Sequence, residues 1–166
     1  MGAMQMPEWR KKTQHHADMA KSVGEFTVVS EMFMAPGQPP QKETATSTRK
    51  MVKNGLFLQE DFKMHTPGMA FEGRAVAGYD TVRKKFVSIW FDNSSPVPEV
   101  SYGQMEDGKL VFNSEGVGFM SGKLEKRRMV CENLGADSFT SSFYIVPAEG
   151  EAHMWMRLTY TRKKAD

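Results

Sequence analysis

The stretch "GYDTVRKKFVSIWFDNSS" runs from Gly78 to Ser95, and its centre, "FVSIWF" at Phe86 to Phe91, decides the fold. Only Ser88 in that centre is polar. Successive side chains of a strand point to opposite faces. Val87, Ile89 and Phe91 therefore share one face, and Phe86 and Trp90 share the other. A strand with one wet face would alternate, and this one is apolar on both. One face is expected to line an interior. The other is expected to be covered by the N-terminal helix or by a second copy of the chain, because a bare aromatic stripe is a contact site.

Working outward, the chain after Gly24 is a row of such segments. They are rich in Val, Phe, Thr, Tyr and Met and are cut at intervals of about ten residues by turn chemistry. Asn54-Gly55 and Asp107-Gly108 each sit between two strand-like runs and predict two-residue hairpin turns, whose central residues need positive φ. "TPG", "GYDTVRKK", "SSPVP", "GFMSG", "LGAD" and "PAEGE" mark further turns. The segments predict ten strands, at 25–34, 42–52, 56–65, 70–78, 86–93, 98–106, 109–117, 123–133, 138–146 and 153–163.

Short connections between them imply an up-and-down antiparallel sheet, and no second helix interrupts it to build parallel units. Closing the sheet removes its two edges, so the fold class is an all-β, ten-stranded closed barrel. A barrel of that size is wide enough to hold a small ligand. Ahead of it, "EWRKKTQHHADMAKSVG" carries Trp9, Ala17, Met19, Ala20 and Val23 at helical spacing. Residues 1–23 thus form a leader with a short amphipathic helix, and 24–166 form one barrel domain.

The bulk numbers fit one domain. The chain has 166 residues, and 22 basic against 20 acidic side chains leave a net charge of +2. That balance gives no field to steer nucleic acid. The one local cluster, "KLEKRRM" at Lys123 to Met129, reads either as a solvated strand face or as an anion patch. A single cysteine, Cys131, forbids an internal disulfide and suits a reducing compartment. No run reaches membrane-spanning length, and the N-terminus lacks the order of a signal peptide, so the expected location is the cytoplasm with no membrane partner. Methionine is abundant, at 14 residues. Met32, Met34, Met64, Met154 and Met156 fall in predicted strands, where they fill a core or line an adaptable cavity.

Several motifs then carry a resemblance. "SVGEF" (Ser22 to Phe26), "FMAPGQPP" (Phe33 to Pro40), "NGLFLQEDF" (Asn54 to Phe62), "MAFEGRAVAGYDTVRKKFVSIWFDN" (Met69 to Asn93) and "LTYTRK" (Leu158 to Lys163) stand in sequence order. Together they resemble an uncharacterised bacterial family, the domain of unknown function numbered fifteen seventy-nine, which is grouped with lipocalin-like (calycin) barrels. The resemblance implies a lipocalin-like closed barrel and no activity. One departure stands out. The family tends to show Gly-x-Trp where the first strand begins, and here the residues are Gly24-Glu25-Phe26. That keeps an apolar plug at the barrel base and loses the indole N–H that would hydrogen-bond there.

Motifs for chemistry are sparse. There is no nucleophile elbow, phosphate loop, dinucleotide fingerprint or zinc-protease helix, so no catalytic residue is assigned. Glu60-Asp61 straddles a strand and Glu106-Asp107 lies in a turn, so neither is an acid–base pair. Cys131 in "MVCENL" reads as a buried thiol. His15 and His16 are adjacent and cannot share a metal at helical spacing. Tyr79, Trp90, Asp92, Phe62, Met154 and Met156 are the candidate ligand-binding residues: an aromatic and thioether wall with one polar group at its end.

Three functional readings follow. The first is binding of a small, largely apolar molecule. The second is a haem-binding barrel, with His153 and then His65 as candidate iron ligands. The third is a packed barrel acting as a homodimeric interaction module through Val87, Ile89 and Phe91.

Overall fold

The computed structural model describes residues 5–166; positions 1–4 of the leader lie outside the described residues. Ten strands follow a short helix: β1 (Gly24–Met32), β2 (Gln41–Val52), β3 (Phe57–Thr66), β4 (Met69–Asp80), β5 (Lys85–Asp92), β6 (Ser95–Glu106), β7 (Lys109–Val117), β8 (Leu124–Glu132), β9 (Ser138–Val146) and β10 (His153–Arg162). Each pairs antiparallel with its sequence neighbours, and β1 pairs with β10 to close the ring. Every strand edge is thereby hydrogen-bonded. No helix among the described residues is long and apolar enough to cross a membrane.

Three local readings need correction. Asp107-Gly108 forms a two-residue turn, with φ of 49° and 78° and Glu106 paired to Lys109. Asn54-Gly55 does not. It lies in a four-residue connection in which Lys53, Asn54 and Gly55 all have positive φ, because Val52 pairs with Phe57. "SSPVP" is not wholly a turn either: β6 begins at Ser95 and carries Pro96 and Pro98. Proline cannot donate to the ladder, and the register between β5 and β6 shifts at this point, between Trp90 and Asp92. Lastly, β10 contains a bulge. Met154 pairs with Tyr144 and Met156 with Phe143, leaving Trp155 unpaired between them. A bulge breaks strict alternation, so Trp155 joins the inner surface despite its parity with Arg157.

The "FVSIWF" strand does carry two apolar faces. Phe86 is buried inside the barrel, and Trp90 packs on the inner cluster. Ile89 and Phe91 point outward and are 42% and 46% exposed. The helix does not cover them. It lies instead across one end of the barrel, against the ends of β3 and β4.

That end is the base. Phe26, Val28, Phe139, Leu158 and Tyr160 form its core. Phe139 stacks on Tyr160 at 4.4 Å, and Phe26 meets Phe139 edge-on at 5.3 Å, both favourable aromatic geometries. An arginine supplies hydrogen bonds at this end. The Arg162 guanidinium lies over the Phe26 ring at 4.8 Å and donates to the carbonyls of Val23 and Lys21. Gly24 makes room for it: with φ of +144°, a Cβ there would fall 2.5 Å from Arg162 Nη1.

The helix α1 (Gln14–Ala20) completes the closure. Thr13 caps it, accepting the His15 N–H, while the Thr13 N–H donates to His16 Nδ1 at 2.9 Å. Met19 buries against Leu58, Phe86, Leu110, Phe112 and Cys131.

Candidate functional site

Strand alternation turns one side chain in two toward the barrel interior, and the interior is not filled. A cavity of about 2220 Å³ runs through it. That exceeds the ~300–1,000 Å³ of ordinary small-ligand sites. The helix α1 lies across its base, where the β6–β7 and β8–β9 turns also line it, and the opposite end opens among the loops after β1, β3, β5, β7 and β9. The loop rim carries large exposed apolar side chains, including Met34, Met69, Phe119, Met120 and Leu124.

One wall is aromatic. Phe62, Phe71 and Trp90 lie within 6.2–6.3 Å of one another, centroid to centroid. Gly73 is the reason the indole fits. It pairs with Asp92 on the neighbouring strand, and a Cβ at Gly73 would stand 2.2 Å from Trp90 Cζ2. The small-residue face of β4 (Gly73, Ala75, Ala77) is thus the bed on which β5 lays its aromatics. Trp90 Nε1 donates to Asp92 Oδ2 at 2.7 Å, and Ser94 donates to Asp92 Oδ1 through both its N–H and its hydroxyl. Burial works to raise the Asp92 carboxyl's pKa, but the Ser94 and Trp90 hydrogen bonds prevail and hold it below the usual carboxylate range.

Two polar clusters interrupt the apolar lining. Near the base, Glu60 Oε1 accepts the Ser47 hydroxyl at 2.8 Å and the Tyr160 hydroxyl at 2.9 Å, with Arg49 Nε 3.8 Å from Oε2. Burial, followed by the Glu60 charge, pushes the Tyr160 phenol well above its ordinary range. Near the mouth, Arg127 donates to Glu99 at 2.9 Å, to Glu125 at 3.0 Å and to the Val117 carbonyl at 2.7 Å. Its guanidinium lies 5.9 Å from the Trp155 ring centroid. The basic stretch at 123–129 is therefore split by alternation: Arg127 turns in to an ion-pair network, and Arg128 makes its bond on the outer face with Asn113. Cys131 is buried with its Sγ 3.5 Å from the Ser141 hydroxyl, and burial raises its pKa. A buried thiol of raised pKa is a poor nucleophile.

Of the residues chosen from sequence, Phe62, Trp90, Asp92, Met154 and Met156 line the cavity. Tyr79 does not. It lies at the base, stacked on the His15 ring at 3.9 Å and edge-on to Phe86 at 5.0 Å. His153 stands exposed at the mouth, opposite Ile145. His65 alternates with the inward Met64 and so faces away from the interior, where it cannot reach a group held inside the barrel. No group of three or more His, Cys, Asp or Glu among the described residues could hold a metal ion. Sequence reasoning missed Arg49, Glu60, Arg127 and Trp155. Only Arg49 left a usable trace, its period-two relation to Ala45 and Ser47.

A closed ten-stranded antiparallel barrel, plugged at one end and hollow behind an open mouth, is the class this geometry defines. The chain belongs to the family described as "Protein of unknown function (DUF1579)", whose model matches residues 11–162. Among solved structures, the chain is similar in fold to Rv2717c from M. tuberculosis. The TM-score is 0.59 at 9% identity, covering 93% of this chain and 100% of that one. No curated protein matches this chain significantly.

Proposed function

We propose that the barrel binds one small, largely apolar molecule in its interior and does not transform it. The observation that carries this reading is the cavity itself: about 2220 Å³, walled by Phe62, Phe71 and Trp90 and running through the barrel interior. An apolar wall supplies burial energy, and the few polar groups fix orientation. The test is a titration with N-phenylnaphthylamine, an uncharged apolar fluorophore. Saturable binding of one probe per chain is expected, and Trp90→Ala should weaken it about tenfold, or 1.4 kcal/mol. Non-saturable partitioning, or no dependence on Trp90, would remove the proposal. A Soret band in freshly purified protein would assign the chamber to haem instead, with His153 the histidine at its mouth.

A second observation favours self-association. Ile89, Phe91, Val100 and Tyr102 form a contiguous outward patch on β5 and β6, each 42–46% exposed, with Ile89 paired to Val100. A two-fold contact through this face, with Val87 at its edge, would bury it. Ile89→Glu is expected to shift the species seen by light scattering from dimer to monomer. A wild-type chain that runs as a monomer would refute this contact.

A further inference from the structure

The base cluster contains a cation with unused donors. Arg49 extends from β2 into the cavity, its side chain only 12% exposed. Its Nε and Nη1 are shielded and make no hydrogen bond. The nearest carboxylate oxygen, on Glu60, is 3.8 Å from Nε, beyond hydrogen-bond range. The guanidinium instead lies over the Phe139 ring at 5.1 Å and the Tyr160 ring at 5.8 Å. Those ring contacts attract the cation's charge but leave its N–H groups unmet. A buried donor without an acceptor is unusual in a folded protein, because its lost hydration is uncompensated.

Glu60 is in the opposite state. It already accepts two hydroxyls, from Ser47 and Tyr160. Both go to Oε1, while Oε2 has only Arg49 beside it at 3.8 Å, so the shielded and unmet polar atoms of the pair are the arginine's donors. Guanidinium donates only, so whatever completes this site must accept.

Charge then narrows the class. Arg49 and Glu60 balance one another. Toward the mouth, the lining carries Glu43, Asp92, Glu99 and Glu115 against Arg127 and Arg128. A second carboxylate at the base would sit beside Glu60 in a poorly solvated site and raise that imbalance, which is costly. An uncharged acceptor adds no charge.

We propose that Arg49 is the docking point for a carbonyl-type acceptor at the leading end of an uncharged, largely apolar ligand. This rests on the ligand-binding reading above. It adds the ligand's chemistry and its direction: polar end inward at the base, apolar body along Phe62, Phe71 and Trp90.

The test compares two uncharged probes in the full-length chain. PRODAN is an aryl ketone whose emission moves to the red when its carbonyl accepts a hydrogen bond. N-phenylnaphthylamine has no carbonyl. The variant is Arg49→Met/Glu60→Gln, which removes both charges together so that neither is stranded. Its fold is checked by circular dichroism and by binding of N-phenylnaphthylamine. The expected result is a roughly tenfold loss of PRODAN affinity and a blue shift of the bound probe, with N-phenylnaphthylamine affinity unchanged. Equal PRODAN affinity and emission in both proteins would overturn the assignment, leaving Arg49 a structural cation satisfied by water. A further arm uses dansyl-aminoundecanoate and its methyl ester. Tighter binding of the ester supports an uncharged head. Tighter, Arg49-dependent binding of the carboxylate would overturn that part. Failure of N-phenylnaphthylamine to bind the wild-type chain would defeat the ligand-binding reading, and this proposal with it.

Discussion

The two ends of this barrel are built from the same residue types and used in opposite ways. At the base, Phe26 and Phe139 are 0% and 1% exposed, locked by Tyr160, Arg162 and the helix plug. At the mouth, Phe119 and Met120 are 93% and 91% exposed and cover nothing. Large apolar residues bury where they can, because burial is the main favourable term in folding. Their division here separates two tasks. The base carries the stability of the closed ring, and the mouth stays free of structural duty.

This contrast is easiest to break by mutation. Phe139→Ala removes a fully buried ring and is expected to cost about 3–5 kcal/mol in urea unfolding. Phe119→Ala should cost under about 0.5 kcal/mol, as an exposed change touching no special feature. Similar losses at both sites would mean that the mouth is a second core.

A smaller effect is expected between the two ends. Gly73→Val would push a side chain into Trp90, for an expected loss of about 1–3 kcal/mol. Displacing the indole also breaks its bond to Asp92, so tryptophan emission should change and N-phenylnaphthylamine affinity should fall. If the protein loses stability while its affinity is untouched, Trp90 belongs to the core and not to the site.

The smallest effect sharpens the role of the plug. His16 is buried, and burial and then the neighbouring His15 lower its pKa from the ordinary histidine value. Its Nδ1 also accepts the Thr13 N–H, which requires that nitrogen to be unprotonated. The unfolded chain therefore takes up the proton more readily than the folded one. The contribution of His16 is present above its unfolded pKa of about 6.5 and is lost as pH falls below it. Hydrogen-exchange protection of α1 should drop between about pH 7.5 and 5.5. His16→Gln, which can still accept the cap hydrogen bond, should flatten that dependence. A variant as pH-sensitive as the wild type would place the titration elsewhere.

Most of the fold was legible because it depends on short-range signals. Turn residues recur every ten positions, alternation sorts the faces, and "FVSIWF" shows by itself that both sides of one strand are apolar. The site was legible where it follows that alternation: Phe62, Trp90 and Asp92 come together because β3, β4 and β5 are adjacent and in simple register. It was illegible where the alternation breaks or where polarity misleads. The bulge at Trp155 shifts the end of β10 by one residue, and nothing in "HMWMR" announces it. Arg49 shares its period-two face with Ala45 and Ser47, but the role of an arginine on an inner face is identified only by the partners that folding brings to it. Glu60 lies 100 residues from the Tyr160 hydroxyl it accepts. Tyr79 was misassigned because strand parity cannot say which end of a strand lies under the helix.

An accessible interior chamber has a direct spectroscopic test. Of the three tryptophans, Trp90 and Trp155 line it, and Trp9 is on the outside, 61% exposed. Fluorine NMR of the fluorotryptophan-labelled chain, titrated with N-phenylnaphthylamine, reads all three at once. The Trp90 and Trp155 resonances are expected to move and saturate at one equivalent while Trp9 stays still. Still Trp90 and Trp155 resonances, or a Trp9 signal that moves with them, would contradict an accessible chamber.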